Sequence, residues 1–293
     1  MPEPSESVLD SSTANAPVAP SPARRLEATL RERQDLGRGT SVLRLRIDEP
    51  MPARAGQFAM VRCADWGSAP LLPRPMSLLT GGHEPSFLIK AVGDGTRRLT
   101  QAPAGTRLSL LGPLGTPWAH PPMGAQVVLV AGGVGLPPLL FLGRELAALA
   151  REHRVSRPPT IGLYGGRTAD DLLLSRELEA VAELRAATED GSRGSRGLVT
   201  ALLDPALDEV AQSGHEAHVF ACGPHAMMAA VAQIAARRGV PCQVSLETRM
   251  ACGYGVCLGC ATPRAQGGYL YACSEGPCVN AAEIDWRAEA PQP

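Results

Sequence analysis

The chain has 293 residues, of which 44% are hydrophobic and 19% are charged. This apolar fraction excludes a wholly disordered chain, and the length suits two compact domains with room for a small third one. With 28 basic and 29 acidic side chains the net charge is -1, which gives no indication of a nucleic-acid partner.

The first part of the chain predicts neither export nor membrane insertion. Residues 1–23 are rich in Pro, Ser and Ala and lack the apolar core of a secretory signal, so we expect a disordered tail on a cytoplasmic protein. The uncharged stretch 125–143 is nearly long enough to span a bilayer. Gly132-Gly133 and Pro137-Pro138 interrupt it, so we interpret it as a buried strand, a glycine turn and the start of a helix, with no membrane partner.

Residues 24–121 predict a small antiparallel β-barrel. Leu43, Leu45 and Ile47 alternate with arginines, the pattern of a strand with one buried face. Short strands at close spacing, separated by glycine turns, are typical of such a barrel. Further strands are predicted at 57–63, 86–92 and 107–111.

Residues 122–239 predict a doubly wound parallel sheet. The strand at 126–131 is apolar throughout, as in a sheet buried on both faces, and a helical pattern follows it. Strands then alternate with helical segments, including one at 171–184, before an exposed loop at 189–197.

Glycine turns follow three of these strands and predict a ligand crevice. Because the carboxyl ends of parallel strands meet at one edge of a sheet, we expect the turns to converge there. The first turn opens a helix, a context in which glycine loops bind phosphates, although it does not match the dinucleotide fingerprint. Cys222 fits either this crevice or the core at a strand end. The crevice residues are Gly132, Gly133, Gly135, Cys222, Gly223 and Pro224.

A second phosphate site is predicted at the barrel. The guanidinium of Arg74 can bind a pyrophosphate, and the hydroxyl of Ser77 can donate to a flavin edge across Pro75-Met76. Taken alone, this string also fits a proline-rich strand end. Farther on, Gly95 and Thr96 can offer backbone N–H groups to a phosphate at a helix start.

The segment from residue 240 onward contains six of the eight cysteines and little regular periodicity. The spacing C-x4-C-x2-C, with a fourth cysteine after twelve residues, is typical of a plant-type [2Fe-2S] cluster. Glycines between the cysteines let the backbone curl and direct N–H groups at the sulfurs. The predicted ligands are Cys252, Cys257, Cys260 and Cys273.

A zinc site is the alternative for these cysteines, because Cys278 follows Cys273 at a spacing that almost completes a zinc pattern. Disulfides are rare in the cytoplasm. We predict that Cys278 is an ordinary thiol near the cluster, and that Cys63 and Cys242 are small buried apolar residues.

The order of these motifs resembles the ferredoxin–NADP reductase superfamily with an appended cluster domain. The motifs are RPMS, GDGT, GGVGLPP, CGP and the cysteine segment. The strings ETRMACGYGVCLGC and YACSEGP are more closely similar to the electron-transfer subunit of heteromeric dihydroorotate dehydrogenase. The resemblance covers about residues 24–278.

The resemblance implies the cofactors FAD, NAD and a [2Fe-2S] cluster, and no catalytic side chain, because these cofactors carry the chemistry. It implies an FMN-containing catalytic partner that oxidises dihydroorotate, in a heterotetramer. Electrons would pass singly through the cluster to FAD, and a hydride would pass on to NAD+. Lys90 stands where the family more often has arginine. The implied FAD contacts are Arg74, Pro75, Met76, Ser77, Leu88, Ile89, Lys90, Gly95 and Thr96.

Two other functions fit the same residues. The chain can instead be the NAD(P)H-linked subunit of a hydrogenase, sulfide dehydrogenase or ferredoxin oxidoreductase, or a binding module held by zinc. Arg167 can contact a 2′-phosphate, so NADP is not excluded. The predicted domains are a tail (1–23), the FAD barrel (24–121), the NAD domain (122–239) and the cluster domain (240–293).

Overall fold

A closed antiparallel barrel forms the first part of the fold. The computed structural model describes residues 23–288, so all but one residue of the predicted tail lies outside the described residues. The barrel strands are β1 (Arg24–Asp35), β2 (Thr40–Arg46), β3 (Phe58–Cys63), β4 (Arg74–Thr80), β5 (Ser86–Lys90) and β6 (Arg107–Leu114). They close in the order β1-β2-β5-β4-β3-β6, and helix α1 (Asp94–Gln101) follows β5.

The two faces of β3 serve two different cores. Ala59 and Val61 point into the barrel, where Leu43 and Leu45 of β2 are also fully buried. Phe58 and Met60 of the outward face of β3 pack outside the barrel against the second half of the chain. Alternation along one strand therefore both fills the barrel and joins it to its neighbour.

A seven-stranded sheet forms the second part. Its strands and those of a small hairpin are β7 (Gln126–Gly132), β8 (Ile161–Gly166), β9 (Glu183–Thr188), β10 (Ser195–Arg196), β11 (Ala217–Cys222), β12 (Cys242–Ser245), β13 (Ala261–Pro263), β14 (Tyr269–Tyr271) and β15 (Cys278–Asn280). The sheet order is β10-β9-β8-β7-β11-β12-β15, with only β15 antiparallel to its neighbour, while β13 and β14 form the hairpin.

Helices cover both faces of this sheet. They are α2 (Leu136–Glu152), α3 (Ser175–Glu179), α4 (Leu203–Gln212) and α5 (His225–Arg238). Val128 and Val130 of β7 belong to one core with residues of α4 and α5, whereas Val127 and Leu129 belong to another with residues of α2 and α3. The predicted fold class, a β-barrel joined to a doubly wound sheet, is confirmed.

The stretch that resembled a membrane span is β7, a glycine turn and α2. Residues Gly133–Glu152 are long and apolar enough to cross a membrane, and half of their most apolar window is buried inside the structure. Leu136, Leu139 and Leu140 are fully buried in the core between α2 and the sheet.

One helix is much shorter than its sequence pattern predicts. Of the segment 171–184, only the five residues of α3 are α-helical. Leu174 adopts a left-handed conformation (φ 53°) immediately before α3, and the last two residues of the segment pair with β8 as part of β9. The loop predicted at 189–197 also contributes the short edge strand β10.

Trp118 joins the barrel to the sheet. Its indole Nε1 donates to the Pro138 carbonyl at 3.0 Å, and its ring meets Phe220 edge-on with centroids 5.5 Å apart. The side chain is 1% exposed. The two parts of the molecule are therefore held together by a buried aromatic contact as well as by the outer face of β3.

The cysteine-rich segment leaves the sheet after β12 and returns to it at β15. It is also attached to the barrel side, where Thr116 N–H donates to the Gly276 carbonyl and Thr116 bridges to Pro277. The sheet therefore extends into the segment predicted as a separate domain of residues 240–293. That boundary stays a prediction.

Candidate functional site

Strand β4 presents the RPMS motif with alternating orientation. In the register with β3, Pro75 lies opposite Met60 and Ser77 lies opposite Phe58, so both share the outer face of the barrel. Met76 lies opposite Ala59 and packs against the barrel core. A ligand on the outer face can therefore meet Met76 only through its backbone.

Arg74 and the start of α1 form an anion cradle. A Cβ atom added at Gly95 would lie 2.6 Å from Arg74 Nε, so the guanidinium rests against the first turn of the helix. The Thr96 hydroxyl closes this turn, accepting from the N–H groups of Val92 and Gly93 at 2.9 Å. Among residues 23–288, Arg74 Nη1 donates to the Leu72 carbonyl at 2.8 Å, and no carboxylate pairs with the guanidinium. A guanidinium without a carboxylate partner beside a helix N-terminus fits the pyrophosphate of FAD.

Leu88, Ile89 and Lys90 follow one another but face different surroundings. Leu88 packs in the core that contains α2, and Ile89 packs inside the barrel. Lys90 is half-buried and lines the cavity at the sheet edge. Of the three, only Lys90 presents its side chain to that cavity.

The predicted crevice is a cavity of about 500 Å3 at the carboxyl ends of the central strands. Four of the predicted residues line it: Gly132, Gly133, Gly223 and Pro224. Gly135 does not, because it packs against the Cys222 carbonyl, where an added Cβ would lie 2.4 Å from the oxygen. Cys222 is 2% exposed, and burial raises the pKa of its thiol.

Several lining residues were missed from the sequence. Leu198 exposes 63% of its surface toward solvent, although it is apolar and lines the cavity. Its position in a polar, glycine-rich loop gave no local signal. Val134, Thr200 and Met227 also line this cavity.

Two acidic residues of the cavity were also missed. Glu247 follows β12, is exposed to solvent and lines the cavity, and desolvation by the protein around it raises the pKa of its carboxyl. Glu189 is exposed at the end of β9. The predicted Arg167 lies in the same cavity, but its Nε is 3.8 Å from Asp171 Oδ2. The predicted 2′-phosphate contact, Arg167, therefore has a carboxylate close to it, and the cavity holds acidic residues as well as this basic one.

The four predicted cluster cysteines form two pairs. The sulfurs of Cys260 and Cys273 lie 3.2 Å apart, and the Cys257 N–H lies 3.5 Å from Cys252 Sγ. Within residues 23–288 no three potential metal ligands converge on one point. Two thiolates for each of two irons is the arrangement of a [2Fe-2S] cluster, whereas zinc takes all four ligands at one centre.

Backbone N–H groups of the loop are directed at the sulfurs. Burial raises the pKa of Cys252, but hydrogen bonds from Cys257, Tyr254 and Val256 outweigh it and lower the pKa to about 6. The Gly255 N–H lies 3.1 Å from Cys273 Sγ. Such donors stabilise thiolate sulfur and so fit a cluster.

Cys278 lies apart from both pairs. Its sulfur is buried 3.6 Å from the Gly56 carbonyl, and a Cβ added at Gly56 would lie 2.4 Å from it. Cys63 and Cys242 are 3% and 8% exposed in the two cores. Cys63 and Cys242 are therefore the small buried apolar residues that the sequence predicted, and Cys278 is a buried thiol outside the four predicted ligands.

Two segments of the chain match known protein families. Residues 247–285 match the iron-sulfur cluster binding domain of dihydroorotate dehydrogenase B. Residues 129–233 match the oxidoreductase NAD-binding domain. Together with the barrel, they confirm the predicted cofactors FAD, [2Fe-2S] and NAD in an NAD-linked oxidoreductase subunit.

Similar solved structures support this fold. The NADH-dependent reduced ferredoxin-NADP oxidoreductase has a TM-score of 0.73 at 25% identity, covering 89% of this chain and 90% of that one. The ferredoxin reductase of carbazole 1,9a-dioxygenase has a TM-score of 0.63 at 25% identity, covering 75% and 68%.

Several similar curated proteins are named dihydroorotate dehydrogenase B (NAD(+)), electron transfer subunit. The protein from Desulforamulus reducens is 35% identical over 83% of this chain and 92% of its own. The probable subunit from Methanopyrus kandleri is 35% identical over 92% and 93%. This chain therefore belongs to the family of dihydroorotate dehydrogenase B electron transfer subunits.

Proposed function

We propose that this chain passes electrons between an FMN-containing catalytic subunit, which oxidises dihydroorotate to orotate, and NAD+ in a cytoplasmic heterotetramer. Dihydroorotate loses two electrons and two protons. NAD+ takes both electrons and one proton as a hydride, and the other proton is released. The names of the relatives support this partner and this acceptor.

The observation that carries the proposal is an apolar patch on the cluster loop. Tyr254, Val256 and Leu258 expose 56%, 71% and 51% of their surfaces, and they lie between cluster cysteines. Cys257 is exposed among them. Contiguous exposed apolar side chains mark interaction surfaces, so we assign this patch to the catalytic subunit. Docking there brings the partner's flavin to the exposed edge of the cluster site.

The chain's own residues hold and orient its cofactors. FAD would supply both hydride and single-electron chemistry when bound. Arg74 and the first turn of α1 would bind its pyrophosphate, and Ser77 on the outer face of β4 would donate to the ring edge. The cavity at Gly132 and Gly223 binds the nicotinamide nucleotide.

Charge at the cavity favours NAD over NADP. Glu189 has no ion-pair partner among residues 23–288, whereas Arg167 faces Asp171. An acidic residue near the adenosine ribose accepts from its hydroxyls and repels a 2′-phosphate. NAD is therefore the expected nucleotide.

Co-expression with a candidate catalytic subunit tests this function. We expect the two chains to copurify and the complex to reduce NAD+ with dihydroorotate. Val256→Glu should abolish the complex while NADH still reduces the flavin. Val155→Glu is the matched control, because Val155 is 41% exposed at the end of α2.

Two outcomes contradict the proposal. In one, Val256→Glu leaves the complex intact, so the patch is not the interface. In the other, the chain copurifies instead with a ferredoxin-linked enzyme, which the similarity to the ferredoxin-NADP oxidoreductase makes the second candidate.

A further inference from the structure

We infer that Met60 is a positioning residue, which fixes the gap between the FAD-binding strand and the cluster loop. It does so by packing between Pro75 of the RPMS motif and Gly253 of the cluster loop. The inference rests on the FAD and cluster assignments and does not depend on which partner subunit is used.

The outer face of the barrel places Met60 beside the flavin motif. Met60 and Pro75 are cross-strand partners on β3 and β4, and Phe58 and Ser77 are the next pair on the same face. Side chains of directly opposed residues in antiparallel strands lie in contact distance. Met60 is therefore a neighbour of the residues that meet the flavin, while it has no place in the barrel core.

The cluster loop closes on the other side of Met60. A Cβ added at Gly253 would lie 2.6 Å from Met60 Cγ and 2.8 Å from Met60 Sδ. The Gly253 backbone therefore touches the methionine directly, next to the ligand Cys252. Gly253 has φ +83°, a conformation that favours glycine.

The contact between Met60 and Gly253 is buried and joins the core that contains two of the cluster cysteines. Met60 is 1% exposed and belongs to the same buried core as Cys260 and Cys273. The Met60 side chain therefore lies between the cluster loop and the flavin strand. A thioether is unbranched and polarisable, so it fills such a gap closely. Loosening or overfilling this gap changes the separation across which electrons pass.

The electron balance of the test reaction is simple. NADH gives two electrons and a proton to the flavin as a hydride. The cluster then takes one electron, which converts one ferric iron to ferrous, and the other electron stays on the flavin. Flavin reduction and cluster reduction are thus separate observables, one by absorbance and one by electron paramagnetic resonance of frozen samples.

Gly253→Ala is the decisive variant, because its methyl group displaces Met60. With NADH under anaerobic conditions, we expect cluster reduction to slow severalfold, because the displaced loop lies farther from the flavin strand. The resonance line shape of the reduced cluster should also change, and the rate of flavin reduction should not.

Gly267→Ala is the matched control. Gly267 has φ +87° and no atom within 4 Å of an added Cβ, so it carries the same backbone strain without the contact. It should leave the cluster rate unchanged. In a Met60→Ala background, Gly253→Ala should have little further effect on cluster reduction, because the Met60 atoms that its methyl group meets are then absent.

Equal effects of Gly253→Ala and Gly267→Ala, or an undiminished effect of Gly253→Ala in the Met60→Ala background, would overturn the inference. If Gly253→Ala fails to hold iron, Met60→Leu decides the matter. Leucine has about the volume of methionine but a shorter side chain, so Met60→Leu should slow cluster reduction. Met228→Leu, in the same core, should not. A normal rate in Met60→Leu would also overturn it.

Discussion

Gly95→Ala should weaken FAD binding while leaving the apoprotein at least as stable as the wild type. The new Cβ would lie 2.6 Å from Arg74 Nε and 3.0 Å from its Cζ, so the guanidinium must swing away from α1. Because it is the flexible end of a long side chain, this movement costs the apoprotein little. Alanine in place of glycine also favours the helix by about 1 kcal/mol.

In the FAD-bound protein, the gain in helix stability does not offset the loss of the contact between Arg74 and the cofactor. A hydrogen bond to a charged group contributes roughly 1.5–3 kcal/mol, so losing the Arg74 contact should raise the Kd for FAD about tenfold to a hundredfold. The assay is fluorescence titration of FAD into stripped protein, with thermal unfolding of the same apoprotein. Gly93→Ala is the control, because an added Cβ there meets no atom within 4 Å.

The effect of Gly95→Ala must also vanish in an Arg74→Ala background, since the displaced group is then absent. Wild-type affinity in Gly95→Ala would refute the cradle. So would a loss of affinity that persists undiminished without Arg74.

Three further predictions concern other residues of the site. Cys273→Ala should lose iron and acid-labile sulfide. Cys278→Ala should retain both and lower the free energy of unfolding by about 1 kcal/mol. Iron loss in Cys278→Ala would contradict the ligand assignment. Desolvation raises the pKa of Glu247 above its ordinary 4.5, so ionisation destabilises the folded state as the pH rises past that value. Glu247→Gln should therefore match the wild type in Tm below that pH and exceed it above, by a margin that stops growing once the carboxyl of the folded protein is ionised. A constant difference would be evidence against this desolvation. Glu189→Arg should raise the preference for NADPH over NADH in flavin reduction by at least about tenfold, equivalent to 1.4 kcal/mol. An unchanged preference would show that Glu189 does not lie near the adenosine ribose.

The elements that the sequence predicts well are those with strong local patterns. The alternation of Leu43 and Leu45 with arginines and the apolar run at 126–131 predict two strands, and the structure has β2 and β7 there. The cysteine spacing predicts a ligand set that the structure brings together in pairs. In each case one short segment contains the whole signal.

The features that the sequence does not reveal depend on distant residues. The pairing of β12 with β15 joins strands separated by the entire cluster segment. Glu247 gains its surroundings only when the sheet edge and α5 assemble, and Met60 looks like an ordinary strand residue until Gly253 packs on it. The helical pattern of 171–184 fails for the same reason, because pairing with β8 takes its end into β9.

The path of the chain around the cluster has a consequence for protein engineering. Ser245 at the end of β12 and Cys278 at the start of β15 are direct partners, so the excursion between them begins and ends at adjacent points of the sheet. The segment between these two residues can therefore be exchanged without moving the two strand ends. A short reverse turn grafted between those two positions would delete the iron site and leave a reductase with two cofactors. Loops that carry other redox centres, attached at the same two positions, would face the same flavin.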